Sequence, residues 1–165
     1  MDVPEEEQAF VARLGGVFEH SPWVAQRAWR RRPFRSLDEL HRAMMQVVSE
    51  ASREEQLALV RAHPELAGRE AKEGSLTVDS SGEQGRLGFV ALSKAELQKM
   101  AELNARYGAK FGFPCIVALR LHATRQSVME AMEKRLGNSR EQELNTALEQ
   151  IGHIARGRLE KLWAG

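Results

Sequence analysis

One cysteine in 165 residues cannot close an internal disulfide, so Cys115 argues for a reducing, intracellular setting. A dominant charge is also missing. The 24 Lys and Arg against 23 Asp and Glu leave +1, so no global field draws the chain to nucleic acid or to a membrane surface. No apolar run approaches the ~20 residues of a membrane span. The start, Met1-Asp2-Val3-Pro4-Glu5-Glu6-Glu7, is acidic where a secretory signal is basic and then apolar. The end, Leu162-Trp163-Ala164-Gly165, is not an address of the Ser-Lys-Leu type. A cytoplasmic protein is expected. The five histidines show no His-Glu-x-x-His spacing, and Cys115 has no partner, so no metal site is expected. There is no phosphate-cradling glycine loop, internal repeat or low-complexity tract.

What remains is an ordinary globular composition, 42% hydrophobic and 28% charged. Its length suits one domain over 1–165, burying roughly 70% of the unfolded surface. The pattern Ser/Asn-x-x-Glu lets a cap and a third-position carboxylate each satisfy a free backbone N–H. It recurs at Ser36…Glu39, Ser52…Glu55, Ser80…Glu83, Ser93…Glu96 and Asn138…Glu141. Helical spacing follows most of these starts, as in Leu97, Met100, Leu103 and Tyr107, or Leu144, Ala147, Ile151 and Ala155. Gly137 is placed to stop a helix carrying Val128, Met129, Met132 and Leu136. Shorter helices are expected near Glu6–Leu14 and Trp23–Arg30. The fold class is therefore all-α, a single-domain bundle of about seven to nine helices with no substantial sheet. Two segments stand apart: 67–79, rich in glycine and charge, reads as a mobile connection. The apolar run 111–119 has no second strand to pair with and reads as buried extended chain.

Three residues have surroundings that call for explanation. His63 precedes Pro64, which disfavours helix for the residue before it, so a helix should end there and leave the imidazole at a rigid corner. It is either a structural helix end or a proton carrier facing a cleft. Ser80…Glu83 is either one more capping box or, if the helix starts near Ser80, a carboxylate on the inward stripe with Leu87 and Val90, where it needs a partner. Arg158 falls about 20° from Ile151 on the apolar face of the last helix, taking ~100° per residue, whereas Arg156, Glu160 and Lys161 point away. A guanidinium there is either a buried Arg–Glu bridge or an anion-binding group. The run Trp29-Arg30-Arg31-Arg32-Pro33-Phe34-Arg35 offers a nucleic-acid surface or, more simply, a helix end with Phe34 packed inward. Cys115, in an apolar run, reads as buried rather than nucleophilic.

In order and spacing these pieces resemble one family. They are Ala62-His63-Pro64-Glu65-Leu66-Ala67-Gly68, Leu76-Thr77-x-x-Ser80-x-x-Glu83-Gln84, Asn104-x-x-Tyr107-x-x-Lys110-Phe111-Gly112-Phe113-Pro114 and Ile154-Ala155-x-x-Arg158-Leu159. Across nearly the whole chain they resemble the 2-oxo-4-hydroxy-4-carboxy-5-ureidoimidazoline (OHCU) decarboxylases. The departures are Leu87-Gly88-Phe89 and Cys115, all at packing positions. The resemblance implies an all-helical homodimer, free of metal and organic cofactor, that takes a small ureidoimidazoline in the last step from urate to (S)-allantoin. It implies no nucleic-acid or membrane partner. By resemblance His63 and Glu83 are the catalytic acid/base pair. Pro64, Ser80, Gln84, Phe113, Ile116, Val117 and Arg158 line the substrate site, with Ser80, Gln84 and Arg158 holding the ureido and carboxylate groups.

The chemistry needs an electron sink, charge stabilisation and a proton source. The substrate's ring imine can serve as the sink. Glu83 would then accept a hydrogen bond from the substrate hydroxyl or orient His63, with His63 the general acid. Two other readings compete: a non-enzymatic helical module that binds an acidic partner, and a hydrolase of a related ureide.

Overall fold

The structure, a computed structural model, describes residues 2–164. Its helices begin where a hydroxyl can take a free N–H. Ser36 accepts from Glu39 N, and Ser52 and Ser93 form complete capping boxes with Glu55 and Glu96. These start α3 (Leu37–Glu50), α4 (Arg53–Ala62) and α7 (Lys94–Phe111), after α1 (Glu7–Leu14) and α2 (Trp23–Trp29). Two starts differ from expectation. Thr77, not Ser80, caps α6 (Val78–Arg86), and its hydroxyl accepts from Ser80 N, so Ser80 sits inside the helix. Ser139 and Gln142, not Asn138 and Glu141, exchange the capping bonds of α9 (Arg140–Ala164).

The stops are equally local. α4 ends at His63, which is extended (φ −79°, ψ 140°) before Pro64, as a proline requires. α7 ends at Gly112, whose φ of +77° suits a residue without Cβ. Segment 67–79 is more ordered than its composition predicts: α5 (Arg69–Glu73) forms within it and ends at left-handed Gly74. Five residues with none buried leave no periodic signal to read. α8 (Arg125–Arg135) precedes Gly137, and residues 112–118 run as non-helical chain, buried at Phe113 and from Cys115 on, into a 3₁₀ turn at Leu119–Leu121.

Nine α-helices and no strand occur among the described residues. α3 buries Leu40, Ala43, Met44, Val47 and Val48, a one-sided helical stripe, and lies against α2 and α9. α9, about 37 Å long at 1.5 Å per residue, packs on α3, α4, α7 and the 3₁₀ turn. Leu144, Ala147, Ile151, Ala155 and Leu159 enter one continuous apolar cluster. The arginine run closes on its own surroundings: Arg31 pairs with Glu50, Arg35 with Glu39, Arg32 lies over Trp29, and Phe34 stacks on Phe10. No helix among the described residues is long and apolar enough to cross a membrane.

Candidate active site

The corner after α4 is held by hydrogen bonds to its ring and its backbone. His63 Nδ1 lies 2.9 Å from the Leu59 carbonyl and so carries the proton. Asn104 Nδ2 donates to Leu66 O at 2.9 Å, and Ala67 N donates to Gln84 Oε1 at 2.9 Å. Gln84 Nε2 reaches Glu65 O at 3.4 Å. These bonds hold Ala67 at φ +50°, a left-handed conformation that a residue with a Cβ adopts only at a cost. The imidazole is 6% exposed, and its Nε2 has no hydrogen-bond partner among the described residues. Burial pushes its pKa down to about 4; Arg158 and His20 push the same way, against the Leu59 carbonyl and Glu19. His63 is therefore neutral at pH 7, with a lone pair on Nε2. A neutral imidazole must first take a proton before it can give one. Nor does Glu83 orient it: the Leu59 carbonyl does that.

Arg158 stands where the apolar-stripe geometry puts it, 3% exposed in the middle of α9's buried face. Its Nε and Nη2 grip Glu83 bidentately at 2.9 and 2.8 Å. Nη2 also donates to Ser80 Oγ at 3.2 Å, and Nη1 to Val17 O at 3.3 Å. Four of the five N–H groups of the guanidinium thus serve protein acceptors. A second carboxylate, Glu19, lies 2.9 Å from Nη2 and is 2% exposed; Thr77 and Ser80 donate to it at 2.8 and 2.9 Å. Burial pushes the Glu19 carboxyl up, but Arg158 and the two hydroxyls outweigh it and leave the group below the ordinary range. Burial pulls the Arg158 guanidinium down, and Glu83 and Glu19 more than reverse that. The buried Arg–Glu bridge is the arrangement found, with two acids rather than one. Glu19 escaped the sequence reading. The only local hint is an acid directly after Val17-Phe18, and its partner Arg158 is distant in the chain.

His63, Glu83 and Arg158 border one cavity of about 390 Å³, within the range of small-molecule sites, and Glu19 lies behind its lining. The cavity brings together His63, Pro64, Ser80, Glu83, Gln84, Ile116, Val117 and Arg158. Phe113 is not among them. It lines a smaller cavity of about 270 Å³ that shares His63, because its ring turns to stack with Phe111 and meet Tyr107 edge-on. Glu160 and Lys161, expected to point away, also border the larger cavity, since α9 runs past its mouth. Val90, placed on the inward stripe of α6 by spacing, is half exposed because the helix stops at Arg86. Cys115 is buried, and its thiol is pushed up to about 12 by desolvation, which leaves it inert as a nucleophile. Among the described residues no three His, Cys, Asp or Glu side chains converge as a metal site.

Comparison with known proteins gives this arrangement its family. The sequence pattern of the OHCU decarboxylase family matches residues 5–160, and the chain belongs to that family. It is 41% identical over 157 residues to a 2-oxo-4-hydroxy-4-carboxy-5-ureidoimidazoline decarboxylase of Halalkalicoccus jeotgali, covering 95% of this chain and 86% of that one. A Mus musculus protein of the same name is 35% identical, covering 93% and 85%. The chain is also 40% identical to the uric acid degradation bifunctional protein PucL of Bacillus subtilis, covering 93% of this chain but 30% of that one. A crystal structure of (S)-allantoin synthase superposes with a TM-score of 0.73 at 30% identity, over 95% of this chain and half of that one. An OHCU decarboxylase crystallised in the presence of (S)-allantoin, 22% identical, shares the fold at a TM-score of 0.72 over 97% and 99%.

Proposed function

We propose that the chain is a carboxy-lyase that converts OHCU to (S)-allantoin in urate catabolism, with His63 and Glu83 in contact with the substrate. Family membership supports the reaction. The observation that carries the residue roles is the unpartnered Nε2 of a buried, neutral His63 in the same cavity as a carboxylate clamped by Arg158.

When carbon dioxide leaves, the electron pair of the broken C–C bond moves into the ring and onto the imine nitrogen. The carbon that lost the carboxylate also bears the hydroxyl, and it becomes a carbonyl as the hydroxyl proton departs. The ureido-bearing carbon takes a proton and becomes the stereocentre, and the nitrogen takes a second from water. One proton is consumed per carbon dioxide released. His63 Nε2 accepts the hydroxyl proton and returns it to carbon, so the imidazole begins and ends neutral, as its depressed pKa requires. Delivery from one face gives one enantiomer. Glu83 accepts hydrogen bonds from the ureido N–H groups and sets which face meets His63. Arg158, Ser80 and Gln84 act beneath them: they hold Glu83 and the His63 corner in register and have few donors left for substrate. Pro64, Ile116 and Val117 form the apolar wall. By family resemblance the enzyme works in the cytoplasm as a homodimer of one helical domain, without metal or organic cofactor.

The test is turnover of OHCU freshly generated by coupled urate oxidation, followed by both rate and circular dichroism because the compound decays unaided. The wild type should accelerate its loss and give a product of one sign, and His63→Ala should lose about 10²–10⁴-fold. Racemic product at the spontaneous rate from the wild type refutes the activity. A His63→Ala enzyme as fast as wild type refutes the role of the imidazole.

A further inference from the structure

We propose that Lys161 is the group that receives the substrate's carboxylate, at the mouth of the cavity rather than on its floor. The inference rests on the decarboxylase reading above and adds to it a residue to which neither spacing nor resemblance assigned a role.

The cluster beneath the cavity is negative in balance. Arg158 contributes one positive charge against the two carboxylates of Glu19 and Glu83, and His63 is neutral. Four of the five Arg158 N–H groups are already engaged. An anionic substrate gains nothing by turning its carboxylate toward such a cluster. Three other cations border the cavity. Arg120 is spent on Glu160 at 2.9 Å and on the His153 carbonyl. Arg86 gives its Nη2 to the carbonyls of Leu119 and His122 and so secures the 3₁₀ turn. Lys161 is different: it has no hydrogen bond or ion pair among the described residues, although it sits one turn from Arg158 on the same helix. Its ammonium reaches across to α6, where a Cβ built on Gly82 would lie 3.9 Å from Nζ. Of the cations that border the cavity, the one left uncommitted among the described residues thus stands beside the residue that precedes Glu83.

This placement also suits the chemistry. A carboxylate locked to a buried, desolvated guanidinium would be stabilised in the ground state and lost in the transition state, which raises the barrier. An exposed, hydrated ammonium attracts the anion and aligns it while holding it weakly. The scissile carboxylate then points outward, and the ureido and hydroxyl groups face Glu83 and His63.

Kinetics of Lys161→Gln at low ionic strength test the assignment. KM for OHCU should rise about three- to fivefold with kcat within twofold of wild type. The difference should shrink at high salt, where exposed charges are screened, and Lys161→Arg should restore the low KM. (S)-Allantoin, which has no carboxylate, should inhibit both enzymes equally. A Lys161→Gln enzyme with wild-type KM at low salt overturns the proposal, as does a matching loss of allantoin inhibition, which would mean a distorted pocket. If the wild type itself does not accelerate OHCU loss, the decarboxylase reading falls and this inference with it. Loss confined to the Lys161 prediction leaves that reading intact.

Discussion

Two arginine–glutamate clusters lie inside this fold, and they are balanced differently. In one, Glu143 on α9 is 0% exposed and accepts from Tyr107 OH at 2.5 Å, Arg135 Nε at 2.7 Å and Asn138 Nδ2 at 2.9 Å. Burial and the Glu143 bond both push the Tyr107 phenol up, so it stays a neutral donor. One acid faces one base, both carboxylate oxygens are satisfied, and Arg135 Nη1 also ties down the Ile116 carbonyl at 2.5 Å behind the cavity wall. In the other, Arg158 faces two acids, and Glu83 keeps a side chain 31% exposed beside a cavity. The sealed, neutral cluster is built for structure. The clamped carboxylate beside the cavity is open on its far side and can accept from something else.

That contrast can be broken from either side. Glu143→Ala should have the largest effect: it strands Arg135 and should cost about 3–5 kcal/mol of stability. Urea denaturation measures this, while turnover per folded molecule stays close to wild type. A cost under about 1 kcal/mol would place the two clusters in the same class. Acid separates them next. His63 has a folded pKa of about 4 against 6.5 when free, so between those values the unfolded chain holds more protons and stability falls as pH falls. The loss should reach up to about 3 kcal/mol in the wild type and be absent in that window from His63→Asn. The kcat/KM of the wild type should fall along an acid limb near the same pKa. Glu83→Gln, which loosens the orientation of the ureido group, should then lower kcat by about a hundredfold with little change in melting temperature. A variant that melts early but turns over normally would make Glu83 structural. Arg31→Ala, which removes an exposed pair with Glu50, should change stability by less than about 1 kcal/mol and leave activity unchanged.

The helical class, most helix starts and the position of Arg158 were legible because they depend on short spacings. Ser36, Ser52 and Ser93 cap helices through residues three positions away, and Arg158 shares a face with Ile151 two turns earlier. The start of α6 was misplaced because Thr77 and Ser80 both offer a hydroxyl three residues before a suitable partner, and only the Glu19 carboxylate decides that Ser80 turns inward. Glu19 itself, the direction of the Phe113 ring and the reach of Lys161 are set by contacts between distant segments. The sequence carried no period from which to read them.

α6 buries only two side chains, Ser80 and Gln84, and both are polar. A greasy stripe can slip along its neighbour and find nearly equivalent contacts, because apolar attraction has no direction. Hydrogen bonds and bidentate ion pairs do have direction, and here they converge from three places: the α1–α2 loop, the corner after α4, and α9. The helix bearing Glu83 therefore has a single seat. Shifting it by one residue forfeits all three attachments at once, so this helix is mounted like a key in a lock rather than a plank on a bearing.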